Sequence, residues 1–68
     1  MSCWEVAAMV VHDGARWTVR HDEPAEGVPE GWNLWRYLFS AGLRGEAELV
    51  QAFGEDRAGA VAAARMQC

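Results

Sequence analysis

The chain has 68 residues, of which 51% are apolar and four are Trp, and its net charge is -4. This length allows one small domain over residues 1–68, and the apolar content suffices for a compact core, which argues against disorder. The six basic residues are all Arg and are scattered along the chain. Direct nucleic-acid binding needs a basic patch and a membrane helix needs about 20 apolar residues, so neither is expected.

Residues 4–11 are rich in Val and predict one β-strand, and Asp13-Gly14 behind them is a common hairpin turn. The alternating residues 16–21 predict the returning strand. If the register shifted by one residue, Arg side chains would lie on the apolar face of the hairpin. We therefore prefer the register that a two-residue turn at Asp13-Gly14 produces. The preferred pairs are His12 with Ala15, Val10 with Trp17, and Ala8 with Val19.

The middle of the chain holds both Pro residues and most of the aromatic residues. Residues 21–30 are polar and predict an ordered loop. Residues 32–39 suit a helix by their spacing and a strand by their aromatic content, so periodicity leaves both open. We expect Trp17 to pack in the core. Trp32 and Trp35 should lie on different faces, with at least one of them exposed as a docking surface.

The last third of the chain predicts two helices. Residues 44–53 carry an apolar stripe and are followed by Gly54, a natural helix stop. Residues 56–66 are rich in Ala, with Asp56 near the start and Arg65 near the end. The expected apolar residues of these two helices are Leu49, Val50 and Phe53 in the first and Val61, Ala62 and Met66 in the second.

Catalytic and metal-binding chemistry is not expected. His12 and His21 lie at opposite ends of the returning strand, and no spacing typical of metal ligands occurs. Cys3 and Ser40 have no neighbouring base, and Cys3 and Cys68 are too few for a disulfide framework. With no signal peptide in view, we expect a cytoplasmic protein with reduced thiols, no cofactor and no enzymatic activity.

One stretch resembles a known family. The residues VPEGW at 28–32, the aromatic segment after them, FS-x-G, and RGEAELV at 44–50 resemble MbtH-like proteins. These short proteins accompany the adenylation domains of nonribosomal peptide synthetases and keep them soluble and active. The resemblance covers residues 9–58 and implies a strand at 32–39. The implied fold class is α+β, with a small antiparallel sheet of a β-hairpin and a third strand packed by one or two C-terminal helices.

The match can be followed along the family motifs. Pro29, Gly31 and Trp32 match the P-x-G-W turn, and residues 46–50 match the start of the family helix. Phe53 stands where the family has a second Trp, and Arg57 matches the Arg of the last motif. Where the family has Ser-x-Trp-Pro, this chain has residues 18–21 without the Trp and Pro. One of the two Trp residues that form the family's docking cleft is therefore missing.

Two hypotheses follow for a non-catalytic protein-binding module. In the first, the chain is an MbtH-like activator of an adenylation domain in nonribosomal peptide synthesis. In the alternative, it is a small acidic inhibitor of the phage anti-defence or anti-CRISPR kind that blocks a basic surface on a nucleic-acid-handling complex. The residues that we expect to bind a partner are Thr18, Arg20, Glu26, Pro29, Glu30, Trp32, Trp35 and Phe53.

Overall fold

A computed structural model describes residues 4–6, 9–12, 14–38 and 47–67. Within these ranges, five antiparallel strands form one sheet in the order of the chain, and one helix packs against the sheet. The fold is α+β, as predicted. The elements are β1 (Trp4–Val6), β2 (Met9–His12), β3 (Ala15–Asp22), β4 (Gly31–Leu38), β5 (Glu48–Gly54) and α1 (Arg57–Arg65).

The N-terminal segment forms two strands instead of one. β1 and β2 pair antiparallel, with Trp4 opposite Val11 and Val6 opposite Met9. The prediction of a single strand over residues 4–11 is wrong because nothing in the sequence signals a break. Residues 7–8 are both Ala, and the residues that usually mark a tight turn are absent from that position.

The hairpin between β2 and β3 has the predicted register. His12 is opposite Ala15 and Val10 is opposite Trp17. Gly14 has a φ of 78°, the left-handed conformation that a tight hairpin turn requires and that Gly adopts freely. The third predicted pair includes Ala8, which lies outside the described residues.

The strand alternative for the aromatic segment is confirmed. All eight residues of β4 pair with β3, from Gly31 opposite Asp22 to Leu38 opposite Ala15. Phe39 lies outside the described residues. The predicted loop is confirmed from residue 23 onward, whereas His21 and Asp22 belong to β3.

The helix predicted for residues 44–53 is wrong for residues 48–53, which belong to β5. The register between β4 and β5 shifts twice, and each shift leaves one extra residue in β5, first Val50 and then Phe53. Such bulges interrupt the two-residue alternation of a strand. Leu49, Val50 and Phe53 therefore acquire a spacing that looks helical. Gly54, predicted to stop that helix, ends the strand with a φ of 59°.

The Ala-rich helix is confirmed as α1. The Oδ1 of Asp56 accepts a hydrogen bond of 2.9 Å from the Gly59 amide and caps the first turn. The predicted apolar face is wrong in part, because Ala62 is exposed and Met66 is 81% exposed. The helix instead buries Ala60 and Ala64. Two methyl side chains let the helix lie close to the sheet.

The core lies between α1 and one face of the sheet. Val10, Val19 and Leu34 from three adjacent strands pack against Ala60 and Ala64. Trp17, Trp32, Phe53, Val61 and Ala63 pack around this cluster. Successive strand residues point to opposite faces, so the residues between these core positions lie on the face away from α1.

Candidate partner-binding surfaces

The predicted partner-binding residues fall on three separate parts of the molecule. Trp32 and Phe53 lie on the face that α1 covers, which we call the helix face. Thr18, Arg20 and Trp35 lie on the other face, which we call the open face. Glu26, Pro29 and Glu30 lie in the loop between β3 and β4.

On the helix face, Trp32 is half-buried and its ring is contacted from several directions. The His21 ring meets it edge-on with 5.2 Å between centroids, and the Arg57 guanidinium carbon lies 5.3 Å from the ring centroid. The ring also packs against the core, as Phe53 does. Trp32 and Trp35 lie on different faces as predicted, but the expectation that one of them is exposed is wrong, since Trp35 is only 8% exposed.

The open face is organised around the carboxylate of Asp22. Its Oδ2 accepts hydrogen bonds of 2.8 Å from Asn33 Nδ2 and from the Trp35 indole Nε1, and its Oδ1 accepts one of 2.9 Å from Arg20 Nε. Burial raises the pKa of Asp22, but the hydrogen bonds from Asn33 and Trp35 and the positive charge of Arg20 lower it by more. The pKa of Asp22 therefore lies below its ordinary value, and the group is charged at neutral pH.

Arginine side chains cover the aromatic residues of the open face. The Arg20 guanidinium carbon lies 4.1 Å from the Trp35 ring centroid, and that of Arg16 lies 5.4 Å from the Tyr37 centroid. Thr18, opposite Trp35 in the strand pair, is half-buried. A planar guanidinium stacks on an aromatic face while it keeps its charge near water. Trp35 is thus only 8% exposed on the face opposite α1, and among the described residues Arg20 lies over its ring.

The loop between β3 and β4 is ordered by backbone hydrogen bonds. The Ala25 amide donates to the Val28 carbonyl at 3.1 Å and the Val28 amide donates to the Ala25 carbonyl at 3.0 Å, around Gly27 with a φ of 74°. The Pro29 carbonyl accepts a hydrogen bond of 3.0 Å from Asn33 Nδ2. Asn33 also donates to Asp22, so the Asp22 carboxylate is connected to the loop through the Asn33 side chain.

A close contact between two glycines brings a second acidic segment to the same end of the sheet. A Cβ atom on Gly31 would lie 2.5 Å from the carbonyl oxygen of Gly54, so no larger residue fits there without a backbone shift. The residues that follow β5 thus start beside the loop. We call the resulting group the acidic end. It comprises the exposed residues Glu23, Glu26, Glu30, Glu55 and Asp56.

In the described part of the chain, Arg side chains lie against aromatic rings on both faces of the sheet, and the sequence does not predict these contacts. Besides the two on the open face, Arg36 lies 5.6 Å from the Trp17 centroid and Arg57 lies over Trp32. Arg36 also forms an ion pair with Glu48. The strand register contains the missing signal, because it places Arg36 opposite Trp17 and Arg16 opposite Tyr37.

Within the described ranges, no group of three or more His, Cys, Asp or Glu residues is arranged to hold a metal ion. Cys3, Ser40 and Cys68, considered above as reactive groups, lie outside those ranges. The part of the chain that the structure describes contains no helix with the length and apolar character needed to cross a membrane.

The chain was compared with known families, proteins and structures. No family model, no curated protein and no solved structure matches the chain.

Proposed function

We propose that this chain is a non-catalytic protein-binding module whose acidic end docks onto a basic surface of a larger protein. One observation carries the proposal. Two separate segments bring five exposed carboxylates to one end of the sheet. Arg57 directly follows Asp56 in the chain, but its guanidinium lies over the Trp32 ring on the helix face.

The order of the loop supports this function. The hydrogen bonds around Ala25 and Val28 and the contact between Pro29 and Asn33 fix the backbone that carries Glu26 and Glu30. A fixed loop loses less conformational entropy on binding than a flexible one. Carboxylates that share one end of a small acidic protein also attract a basic partner over a distance and raise the rate of association.

The partner that this chemistry fits is a protein with a basic groove, such as a subunit of a nucleic-acid-handling complex. An acidic module seated in such a groove would exclude the nucleic acid and act as an inhibitor. The anti-defence alternative, acting in the cytoplasm, is therefore the candidate that the charge distribution favours.

The activator of an adenylation domain remains a second candidate because of Trp32. The residue follows the Pro29–Gly31 turn at the start of a strand, and its ring is half-buried beside the end of β5. Under this candidate, binding is apolar, so Trp32→Ala should abolish it and salt should change it little. Retention of binding by folded Trp32→Ala protein would eliminate the candidate.

The deciding experiment captures partners from a lysate of the source cell at low and high salt and then measures the affinity of the recovered protein. We expect Glu26→Lys/Glu30→Lys to weaken binding by at least about tenfold and salt to weaken it steeply. Glu48→Lys, compared with Glu26→Lys alone, is the control for one charge reversal, because Glu48 is an exposed carboxylate at the far end of β5, where it pairs with Arg36. Salt-insensitive binding, or equal losses in both variants, would refute docking by the acidic end.

A further inference from the structure

The open face has a different chemistry from the acidic end. Arg16 and Arg20 are both exposed there, and Trp35 and Tyr37 lie beneath them with Thr18 between the two Arg. We propose that the open face binds an extended acidic segment of a partner protein, whose carboxylates pair with Arg16 and Arg20. This surface borders the acidic end at Asp22 but presents the opposite charge.

The two guanidinium groups are positioned in advance. The Arg20 side chain is 51% exposed and is fixed from two sides, by the Trp35 ring below it and by the Asp22 carboxylate on its Nε. Among the contacts of the described residues, this leaves the terminal Nη groups of Arg20 for a second carboxylate. Among the described residues, Arg16 is positioned by one contact, with its guanidinium carbon 5.4 Å from the Tyr37 ring centroid. A guanidinium that is already fixed loses little side-chain entropy when it forms a forked pair with a carboxylate.

The spacing of the two residues indicates the shape of the bound segment. Arg16 and Arg20 are four residues apart on β3 and point to the same face, so their backbone positions are about 13 Å apart. Two side chains four residues apart on another extended chain have the same spacing. An acidic segment with carboxylates at positions i and i+4 can therefore lie along β3 and reach both Arg residues, with its intervening side chains over Thr18 and Trp35.

Charge favours a polypeptide over a nucleic acid on this face. Nucleic-acid binding draws its affinity from many phosphate contacts. The described part of the open face offers two exposed Arg, and the five carboxylates of the acidic end repel a polyphosphate chain. A segment with two or three carboxylates separated by uncharged residues meets the same Arg with less repulsion.

The test uses the whole chain and a labelled peptide in which two Glu, four residues apart, are separated by Ser, Thr and Val. We expect the peptide to shift the NMR signal of the Trp35 indole N–H, which is bonded to Asp22, and the Nε–H signals of Arg16 and Arg20. The indole signal of Trp32 on the helix face is the internal control. These shifts need no variant, so they test the proposal even if a variant fails to fold.

Variants then measure the contribution of each charge. Arg16→Gln/Arg20→Gln should weaken peptide binding by about tenfold or more, because each removes a charged hydrogen bond. Arg57→Gln is the matched control for the single variant Arg20→Gln, since each removes one charge and one contact with a Trp ring, but Arg57 lies on the helix face. The affinity of Arg57→Gln for the peptide should fall by much less than that of Arg20→Gln, because a charge lost on the helix face acts on the peptide only at long range.

Three results would overturn the proposal. One is a set of shifts confined to the helix face or to the loop, and another is equal affinity for the double variant and the wild type. The third is occupation of the open face by something else. A single-stranded oligonucleotide that binds there more tightly than the peptide would assign the face to nucleic acid, and self-association that Arg16→Gln/Arg20→Gln abolishes would assign it to a second copy.

Discussion

The two faces of the sheet are built from alternate residues of the same strands and are covered in opposite ways. On the helix face, Val10, Val19 and Leu34 are covered by the methyl groups of α1. On the open face, Trp35 is covered by a guanidinium and donates a hydrogen bond to the partly buried carboxylate of Asp22. A sheet that a helix covers on one face can therefore bury an aromatic residue on its other face beneath its own Arg side chains. The comparison also shows that the open face, through its exposed Arg side chains, has polar groups that can bind a partner.

The largest expected effect comes from the helix face. Leu34→Ala should lower the free energy of unfolding by about 2–5 kcal/mol, through lost burial and the cavity left beside Ala60 and Ala64. A domain of this size has a margin of about 3–5 kcal/mol, so much of the variant should be unfolded at 25 °C. Circular dichroism during urea unfolding measures this. A stable Leu34→Ala protein would mean that the open face, and not the helix face, contributes most of the stability.

The next largest effect is expected from the loss of the Asp22 carboxylate on the open face. Asp22→Asn should lower the free energy of unfolding by about 1–3 kcal/mol, because an amide in place of the carboxylate brings its own N–H groups towards donors from Arg20, Asn33 and Trp35. Urea unfolding at pH 6 measures the difference. Glu26→Gln, which removes an exposed carboxylate from the loop, is the control and should have little effect.

The same group gives a pH dependence with a definite sign. The pKa of Asp22 is lower in the folded chain than its ordinary value of about 4 in the unfolded chain, so its contribution is complete above pH 4 and is lost as the pH falls through the folded pKa. The difference in unfolding free energy between wild type and Asp22→Asn should therefore shrink from pH 6 to pH 3. A difference that stays constant over this range would show that the charge of Asp22 does not stabilise the fold.

The smallest effect concerns the Arg that covers Trp35. Arg20→Lys keeps the charge but loses the planar contact with the ring. Because the side chain is half exposed, we expect a loss of only about 0.5 kcal/mol in unfolding free energy. The intrinsic fluorescence should also shift as Trp35 becomes more hydrated. Unchanged fluorescence would mean that strand neighbours, and not Arg20, exclude water from Trp35.

What the sequence predicts here depends on how local each signal is. The Asp13-Gly14 turn specifies the register of β2 and β3, and Asp56 with the alanines specifies α1, because each signal lies within a few residues. The sequence predicts a helix in place of β5 because two bulges change the apolar spacing of the strand, and a bulge can be recognised only from the pairing with the partner strand. The break between β1 and β2 has no turn residue to reveal it.

The candidate surfaces follow the same rule. The sequence shows the acidic loop directly because Glu26 and Glu30 lie close together in the chain. The contacts between Arg and aromatic residues require the register of β3 with β4, so the sequence shows only scattered Arg. The contribution of Glu55 and Asp56 to the acidic end depends on the contact of Gly31 with Gly54, which joins positions far apart in the chain.

The order of the strands has a consequence for synthesis on the ribosome. Each strand pairs with its neighbour in the chain, so the sheet can grow hairpin by hairpin as the chain emerges, and such local topologies fold quickly. The helix that covers Val10 and Val19 follows all five strands. A nascent chain therefore exposes the apolar face of a nearly complete sheet until α1 leaves the exit tunnel. We expect this interval to be when the protein is most prone to aggregate and most dependent on chaperones.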